Sequence, residues 1–262
     1  MPPTILRKLA AICLITLAGA CFAGPEVKGF ERKSFTFGGN WYHSVIADMS
    51  SNEITAETVC TDKLVSPWQM IKDNQPVAAI TGCFFAWESG QPIADVLVEG
   101  SLVSKGHIGS VLAVDWFGKV SIFDAPHGKP VDWFPYRYAL RGTVRLIADG
   151  KVQPNPRLQK FSDPAIWGQA SRTGVGLMRD GRLIMMATTA RVTLSQFGKA
   201  MKQLGAYNAV SLDGGGSTML YWNGGMVLNT SRKLCNMFVL HDRAPLLSAR
   251  SRNLAAATGR TK

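Results

Sequence analysis

The densest chemical signal in the chain is the run Ala209-Val210-Ser211-Leu212-Asp213-Gly214-Gly215-Gly216-Ser217-Thr218-Met219. Its apolar first half reads as a strand that delivers Asp213 to its end. Three glycines then let the backbone turn sharply with its amides unobstructed. Such a nest of N–H groups favours an anion, and Asp213 sets a fixed carboxylate beside it. Two known phosphate loops fail here. A P-loop needs Lys where Ser217 stands, and the dinucleotide fingerprint needs a third Gly where Met219 stands. The plainer alternative is a hairpin turn that Asp213 caps, but three consecutive glycines cost chain entropy that an ordinary turn avoids.

Two upstream segments add to this. Thr81-Gly82-Cys83-Phe84-Phe85 ends an apolar strand and is followed by Trp87, Glu88 and Gly90-Gln91-Pro92. Aromatic residues at a strand end can form a sugar platform or simply pack a core. Ser171-Arg172-Thr173-Gly174-Val175-Gly176 places one Arg at the mouth of a strand whose small residues allow another backbone to approach.

The elements that must hold these residues are mostly short strands. Residues 41–49 and 53–60 are rich in β-branched and aromatic side chains and flank Ser50-Ser51-Asn52, which predicts a hairpin. Gly118, Asp149-Gly150, Asp180-Gly181 and Asn223-Gly224 each separate apolar runs and predict further hairpins. One helix is well marked. Thr193 and Gln196 form a capping box, Leu194, Phe197, Ala200, Met201 and Leu204 line one face, and Gly205 stops it. A shorter helix starts at Ser66, with Pro67 in its first position. Residues 154–164 form a proline-bearing surface loop that either covers a site or connects elements. The expected fold is α+β: a single domain of many short, mostly antiparallel strands with two or three helices.

Length and composition set the outer bounds. The 262 residues suffice for one sizeable core, and no apolar run reaches the roughly 18 residues of a membrane-spanning helix. Lys and Arg number 29 against 18 Asp and Glu, so the net charge of +11 asks for an anionic partner. Arg7 and Lys8, the apolar run 9–20 and the small residues up to Ala23 read as a secretory signal peptide, placing the mature protein in the periplasm or outside the cell. Acylation of Cys21 is disfavoured, because the required Leu stands four residues before it, at Leu17, rather than three. The domain plan is therefore signal peptide 1–23, one domain over 24–247, and a basic tail 248–262. Cys60, Cys83 and Cys235 remain after processing and permit one internal disulfide or three buried thiols. The four histidines do not cluster at metal-ligand spacing. The basic residues are dispersed and no nucleic-acid motif is present, which argues against a nucleic-acid partner.

In order, these segments resemble the phosphodiester glycosidase family over about residues 77–240. The resemblance rests on Thr81-Gly82-Cys83-Phe84-Phe85, Pro92 with Glu99-Gly100, Arg172-Thr173-Gly174-Val175-Gly176, Leu204-Gly205, Leu212-Asp213-Gly214-Gly215-Gly216-Ser217, and Asn236. The first segment departs from the family pattern: Thr81 replaces an Asn and Cys83 a Gly. What the resemblance implies is hydrolysis of a sugar-1-phosphodiester at the anomeric carbon. A phosphate monoester leaves as a stable anion, so the leaving group needs a clamp rather than a proton. The oxocarbenium-like centre still needs a carboxylate as nucleophile or base.

On that implication Asp213 is the carboxylate and Arg172 the phosphate clamp, helped by the amides of Gly214, Gly215 and Gly216 and the hydroxyl of Ser217. Thr81, Gly82, Phe85 and Asn236 complete the expected substrate contacts. Glu88, Asp95 and Glu99 are candidates for a second carboxylate. Glu88 is favoured because it follows the aromatic strand end directly. Asp213 is expected to be an exposed turn residue whose change to Asn leaves folding nearly unaltered. The scheme requires no metal and no cofactor. The competing class is an exported module that binds a phosphate-bearing glycan without cutting it.

Overall fold

The computed structural model describes residues 26–51 and 53–243. The signal peptide, Cys21, the basic tail and Asn52 lie outside the described residues. In chain order the elements begin with β1 (Phe30–Phe37), β2 (Asn40–Asp48), β3 (Ile54–Val65), α1 (Pro67–Asn74), β4 (Ala78–Thr81), β5 (Val96–Val98) and β6 (Ser101–Ser104). Then come β7 (Ser110–Asp115), β8 (Val120–Asp124), β9 (Tyr136–Ala148), β10 (Lys151–Val152), α2 (Pro164–Trp167), β11 (Ala170–Met178) and β12 (Arg182–Val192). The chain continues with α3 (Leu194–Gln203), β13 (Ala206–Ser211), a 3-10 turn (Gly215–Ser217), β14 (Leu220–Trp222), β15 (Gly225–Leu228) and β16 (Leu234–Asp242).

The strands form two antiparallel sheets. The larger runs β1-β2-β12-β11-β13-β9-β5-β6, with β10 and the β7–β8 hairpin attached to β9. The smaller runs β15-β14-β4-β16-β3. Between them lies the main core, in which Val45, Val175, Met185 and Val210 of the larger sheet meet Ile80, Leu220, Phe238 and Leu240 of the smaller. Strand alternation sends the neighbouring side chains outward. Tyr42, Ile184 and Met186 therefore pack under α3 through Phe197 and Met201. Ala79, Met237 and Val239 pack under α1 through Met70 and Ile71. The molecule is four layers deep, helix on sheet on sheet on helix.

Among the described residues the architecture is mainly β with three short helices, so the α+β label fits loosely. Both marked helices start as their sequences dictate. Ser66 accepts from Gln69 N, and in α3 Thr193 and Gln196 exchange the two bonds of a capping box. The hairpins at Gly118, Asp149-Gly150, Asp180-Gly181 and Asn223-Gly224 all form. The hairpin expected over 41–60 does not. β2 pairs with β1 and β12, while β3 crosses to the smaller sheet and pairs with β16. Both strands form where β-branched and aromatic residues are dense, but composition says nothing about which strand is the partner.

Candidate active site

β13 lies between β11 and β9, and its last three residues, Ala209, Val210 and Ser211, are all buried. Beyond it, Leu212 N donates to Thr173 O at 3.0 Å and Asp213 N to Gly82 O at 2.9 Å. Thr173 Oγ1 donates to Asp213 O at 2.6 Å. The backbone of Asp213 is thus pinned by β11 on one side and the end of β4 on the other. Its carboxylate has little freedom left.

The glycines have separate reasons. A Cβ on Gly214 would overlap the Ser171 carbonyl, and Gly215 has φ +55. A Cβ on Gly216 would meet the Arg232 guanidinium at 2.9–3.2 Å, so the missing side chain lets Arg232 lie over the turn. Ser217 N closes the turn onto Gly214 O at 2.9 Å. Arg232 Nη1 donates to Ser217 Oγ at 3.3 Å, and its guanidinium also sits 5.3 Å from the centre of the Trp87 ring. Burial pushes the Asp213 carboxyl up to about 6, against the opposing pull of the Ser217 hydroxyl, the Arg232 charge and the Gly214 amide. The Ser217 hydroxyl therefore links the carboxylate to the guanidinium.

Asp213 and Arg232 border a cavity of about 250 Å³. Its walls are aromatic or aliphatic: Phe84, Phe85, Trp87 and Phe161, with Ile93, Ile108 and Ile166. Asp163 is the third charged residue on its rim. A larger cavity of about 540 Å³ opens elsewhere and contains none of the motif residues. Apolar walls around a few convergent charges are what a small-ligand site needs, and the smaller cavity brings them together with the motif carboxylate Asp213.

The end of the loop that precedes α2 reaches the cavity through Phe161 and Asp163. Phe161 is buried against Phe84, with ring centres 5.9 Å apart. Asp163 caps α2, accepting from Ala165 N at 2.8 Å with one oxygen. The short helix that follows is held by Arg172. Its Nη2 donates to Ile166 O at 3.2 Å and to Gly168 O, and its Nε to Val192 O at 3.2 Å. Burial lowers the Arg172 pKa to about 10. Arg172 thus braces the cavity wall from behind and is not among the residues lining the cavity.

Other expected site residues also face the protein. Thr81 Oγ1 donates to Ser217 O at 2.5 Å, fixing the glycine turn to β4. Asn236 grips both backbone groups of Cys83, accepting from N at 2.6 Å and donating to O at 3.3 Å. Gly82 is required there, because a Cβ would overlap the Asn236 amide. Thr81, Gly82 and Asn236 are buried scaffold around Asp213, while Phe85 reaches the cavity. Glu88 is exposed in the turn after Trp87 and does not line it. Asp95 is buried and pairs with Arg141 Nη1 at 3.2 Å. Glu99 forks onto Arg137 at 2.6 and 2.8 Å. Neither carboxylate is available to substrate in this cavity. Cys60, Cys83 and Cys235 are all free thiols, and burial raises the pKa of each.

Two residues of the site escaped the sequence reading. Arg232 sits in Ser231-Arg232-Lys233, which looks like any solvated basic turn. Asp163 left a legible trace: Asp163-Pro164 is a helix start, which would have shown that the loop ends on an ordered carboxylate.

A carboxylate and a guanidinium thus meet at the mouth of an aromatic cavity, beside a glycine turn that follows β13. The phosphodiester glycosidase family model matches residues 74–241, and the chain belongs to that family of glycosidase-type hydrolases acting on phosphodiester-linked sugars. The same fold recurs in the zebrafish N-acetylglucosamine-1-phosphodiester alpha-N-acetylglucosaminidase catalytic domain, solved auto-inhibited by its pro-peptide. There the identity is 20%, the TM-score 0.64 and the coverage 82% of each chain. A Synechocystis protein matches at 14% identity and TM-score 0.63 over 82% of this chain; the match spans 62% of that protein's length. A Burkholderia pseudomallei protein described as exported matches at 13% identity and TM-score 0.53, covering 77% of this chain and 74% of its own. No curated protein matches the sequence.

Proposed function

We propose that this protein is exported and hydrolyses the glycosidic bond of a sugar-1-phosphodiester, with Asp213 as nucleophile or base and Arg232 as the phosphate clamp. The observation that carries the reading is the pairing of Asp213 and Arg232 through Ser217 on one wall of an apolar cavity. The sugar sits against the aromatic walls with its anomeric carbon toward Asp213, and the phosphate lies toward Arg232. With a pKa of about 6, about nine in ten Asp213 carboxyls are ionised at pH 7, the form a nucleophile or base needs.

As the bond to C1 lengthens, positive charge on the sugar is met by the carboxylate. The charge gathering on the leaving phosphate is met by Arg232, with the amides of Gly215 and Gly216 nearby. The phosphate departs as an anion. Asp163, with one oxygen uncommitted to its helix, takes the place expected of Glu88 as the second carboxylate. Arg172 keeps Asp163 and Ile166 in position rather than touching phosphate. Export is supported by the N-terminal sequence and by the exported description of the Burkholderia neighbour. A panel of glycosyl-1-phosphodiesters tests the reading, with free sugar followed by NMR. Release by the native protein and its loss in Asp213→Asn support it, whereas binding without release refutes it.

A further inference from the structure

Next to the active-site cavity lies another, of about 420 Å³, to which the proposed reaction gives no part. Ile108 faces the first cavity and the next residue, Gly109, faces the second. A Cβ on Gly109 would meet Phe161 Cζ at 2.9 Å and Gly142 Cα at 3.0 Å, and both of those residues line the active-site cavity. The partition is therefore one residue thick. The loop before α2 borders both sides, with Gln159 on one and Phe161 on the other. None of the residues that hold Arg232, namely Gly216, Ser217 and Trp87, lines the second cavity.

The second cavity is polar and partly pre-set. Ser110 Oγ donates to Asp124 Oδ1 at 2.5 Å and accepts from Gln159 Nε2 at 2.7 Å, while Gln159 Oε1 accepts from Arg145 N at 2.9 Å. This chain of bonds fastens the loop to β7 and β9. Arg145 commits Nε to Ile147 O and Nη2 to Asn208 Oδ1. Its Nη1 is shielded from water and makes no hydrogen bond, with Asp124 Oδ1 3.7 Å away. A buried donor without an acceptor is costly. One hydroxyl oxygen set about 2.8 Å from both atoms would accept from Nη1 and donate to Asp124. Around them, the His127 ring, the Gln153 amide and Asn155 Nδ2 make no hydrogen bond within the described residues. These groups select the ligand. Asp124 opposes an anion, Arg145 opposes a cation, and no aromatic ring lines the walls to stack on a base. Mixed donors and acceptors suit hydroxyls, each of which is both at once.

We propose that this cavity binds the neutral sugar unit next to the one whose bond is cut, so that the substrate is an oligosaccharyl 1-phosphodiester and not a monosaccharyl one. The inference rests on the glycosidase reading and extends it. Phosphate at Arg232 leaves the sugar end to continue past Phe161, and the next ring then meets Asp124, Arg145 and His127. These residues bind and take no part in cleavage.

The test follows the imidazole NMR signal of His127, assigned by its loss in His127→Gln. The whole protein is titrated with maltotriose, cellotriose, mannotriose and triacetylchitotriose, and with the monosaccharide of each. At least one trisaccharide is expected to shift the signal saturably, with its monosaccharide bound about 10-fold more weakly or worse. Asp124→Ala, at a side chain 62% exposed, should raise the Kd of that trisaccharide on the order of 10-fold, as loss of a charged hydrogen bond does. Gln153→Ala, at an exposed side chain, should weaken binding in the same sense. No shift with any trisaccharide overturns the proposal and leaves the cavity to water. So does equal affinity of both variants, or equal affinity of the monosaccharide. Hydrolysis then separates this inference from the reaction it rests on. The methyl 1-phosphodiester of the matching disaccharide should exceed that of the monosaccharide in kcat/KM by about 10-fold, and equal values overturn the subsite. Cleavage of neither, with the His127 titration intact, refutes the reaction and not the subsite.

Discussion

Asp213→Asn should make the protein more stable and inactive at once. The ordinary carboxyl value of 3.8 rises to about 6 in the folded protein, because burial penalises the charge. The sign follows directly. As pH rises from 4, the unfolded chain ionises Asp213 first, so stability is lost between the two pKa values and is flat above them. At about 1.4 kcal/mol per pKa unit the loss at neutral pH is about 3 kcal/mol. That figure already includes the help from Ser217, Arg232 and Gly214. Roughly half is incurred by pH 5 and nearly all by pH 7. Asn keeps the shape and an acceptor oxygen and carries no charge to bury. For a chain of this size the native–variant difference in Tm should be on the order of 5 °C at pH 7.5, and should shrink as pH falls towards 4. Thermal melts of both proteins across that range measure it. An Asn variant equal to or less stable than the native protein at pH 7.5 would refute the argument. It would restore Asp213 to the exposed turn residue that the sequence suggested.

Four more outcomes rest on the same geometry. Turnover should fall tenfold per pH unit below about pH 6, because protonating Asp213 removes the nucleophile or base; an alkaline limb with that pKa instead would make Asp213 an acid. Arg232→Lys should lower kcat/KM by about 10²-fold with little change in Tm, because a bidentate fork is lost from an exposed side chain. Arg172→Lys should behave in the opposite way, costing about 1–3 kcal/mol in melts as three carbonyls lose their donor. Asp163→Asn preserves the helix cap, so a loss of turnover at unchanged Tm identifies Asp163 as the second carboxylate, and full activity excludes it.

Much of the site's scaffold was written locally. The run from Leu212 to Ser217 announced a strand end, a carboxylate and a sharp turn, and each is there because a neighbour leaves no room for a Cβ or demands a positive φ. The α3 capping box and four hairpin turns were legible for the same reason: their causes lie within a few residues. What failed depended on distant partners. Strand β3 could not declare that it pairs with β16 and not with β2, which is nearer in sequence. Arg172 looked free and Arg232 looked ordinary, yet the α2 carbonyls capture the first, while Gly216 and Trp87 hold the second at the cavity. Glu88 lay nearest in sequence to the aromatic strand end, but the turn after Trp87 leaves it in solvent.

In the proposed reaction the bond broken is the one between sugar and oxygen, not between phosphorus and oxygen. Hydrolysis of a glycosyl-1-phosphodiester in ¹⁸O-labelled water decides this in one mass spectrum. Attack at C1, whether by Asp213 and then water or by water alone, places the label on the anomeric hydroxyl of the released sugar and leaves the phosphate monoester unlabelled. Label in the phosphate monoester, with an unlabelled sugar, would contradict the account and make the protein a phosphodiesterase.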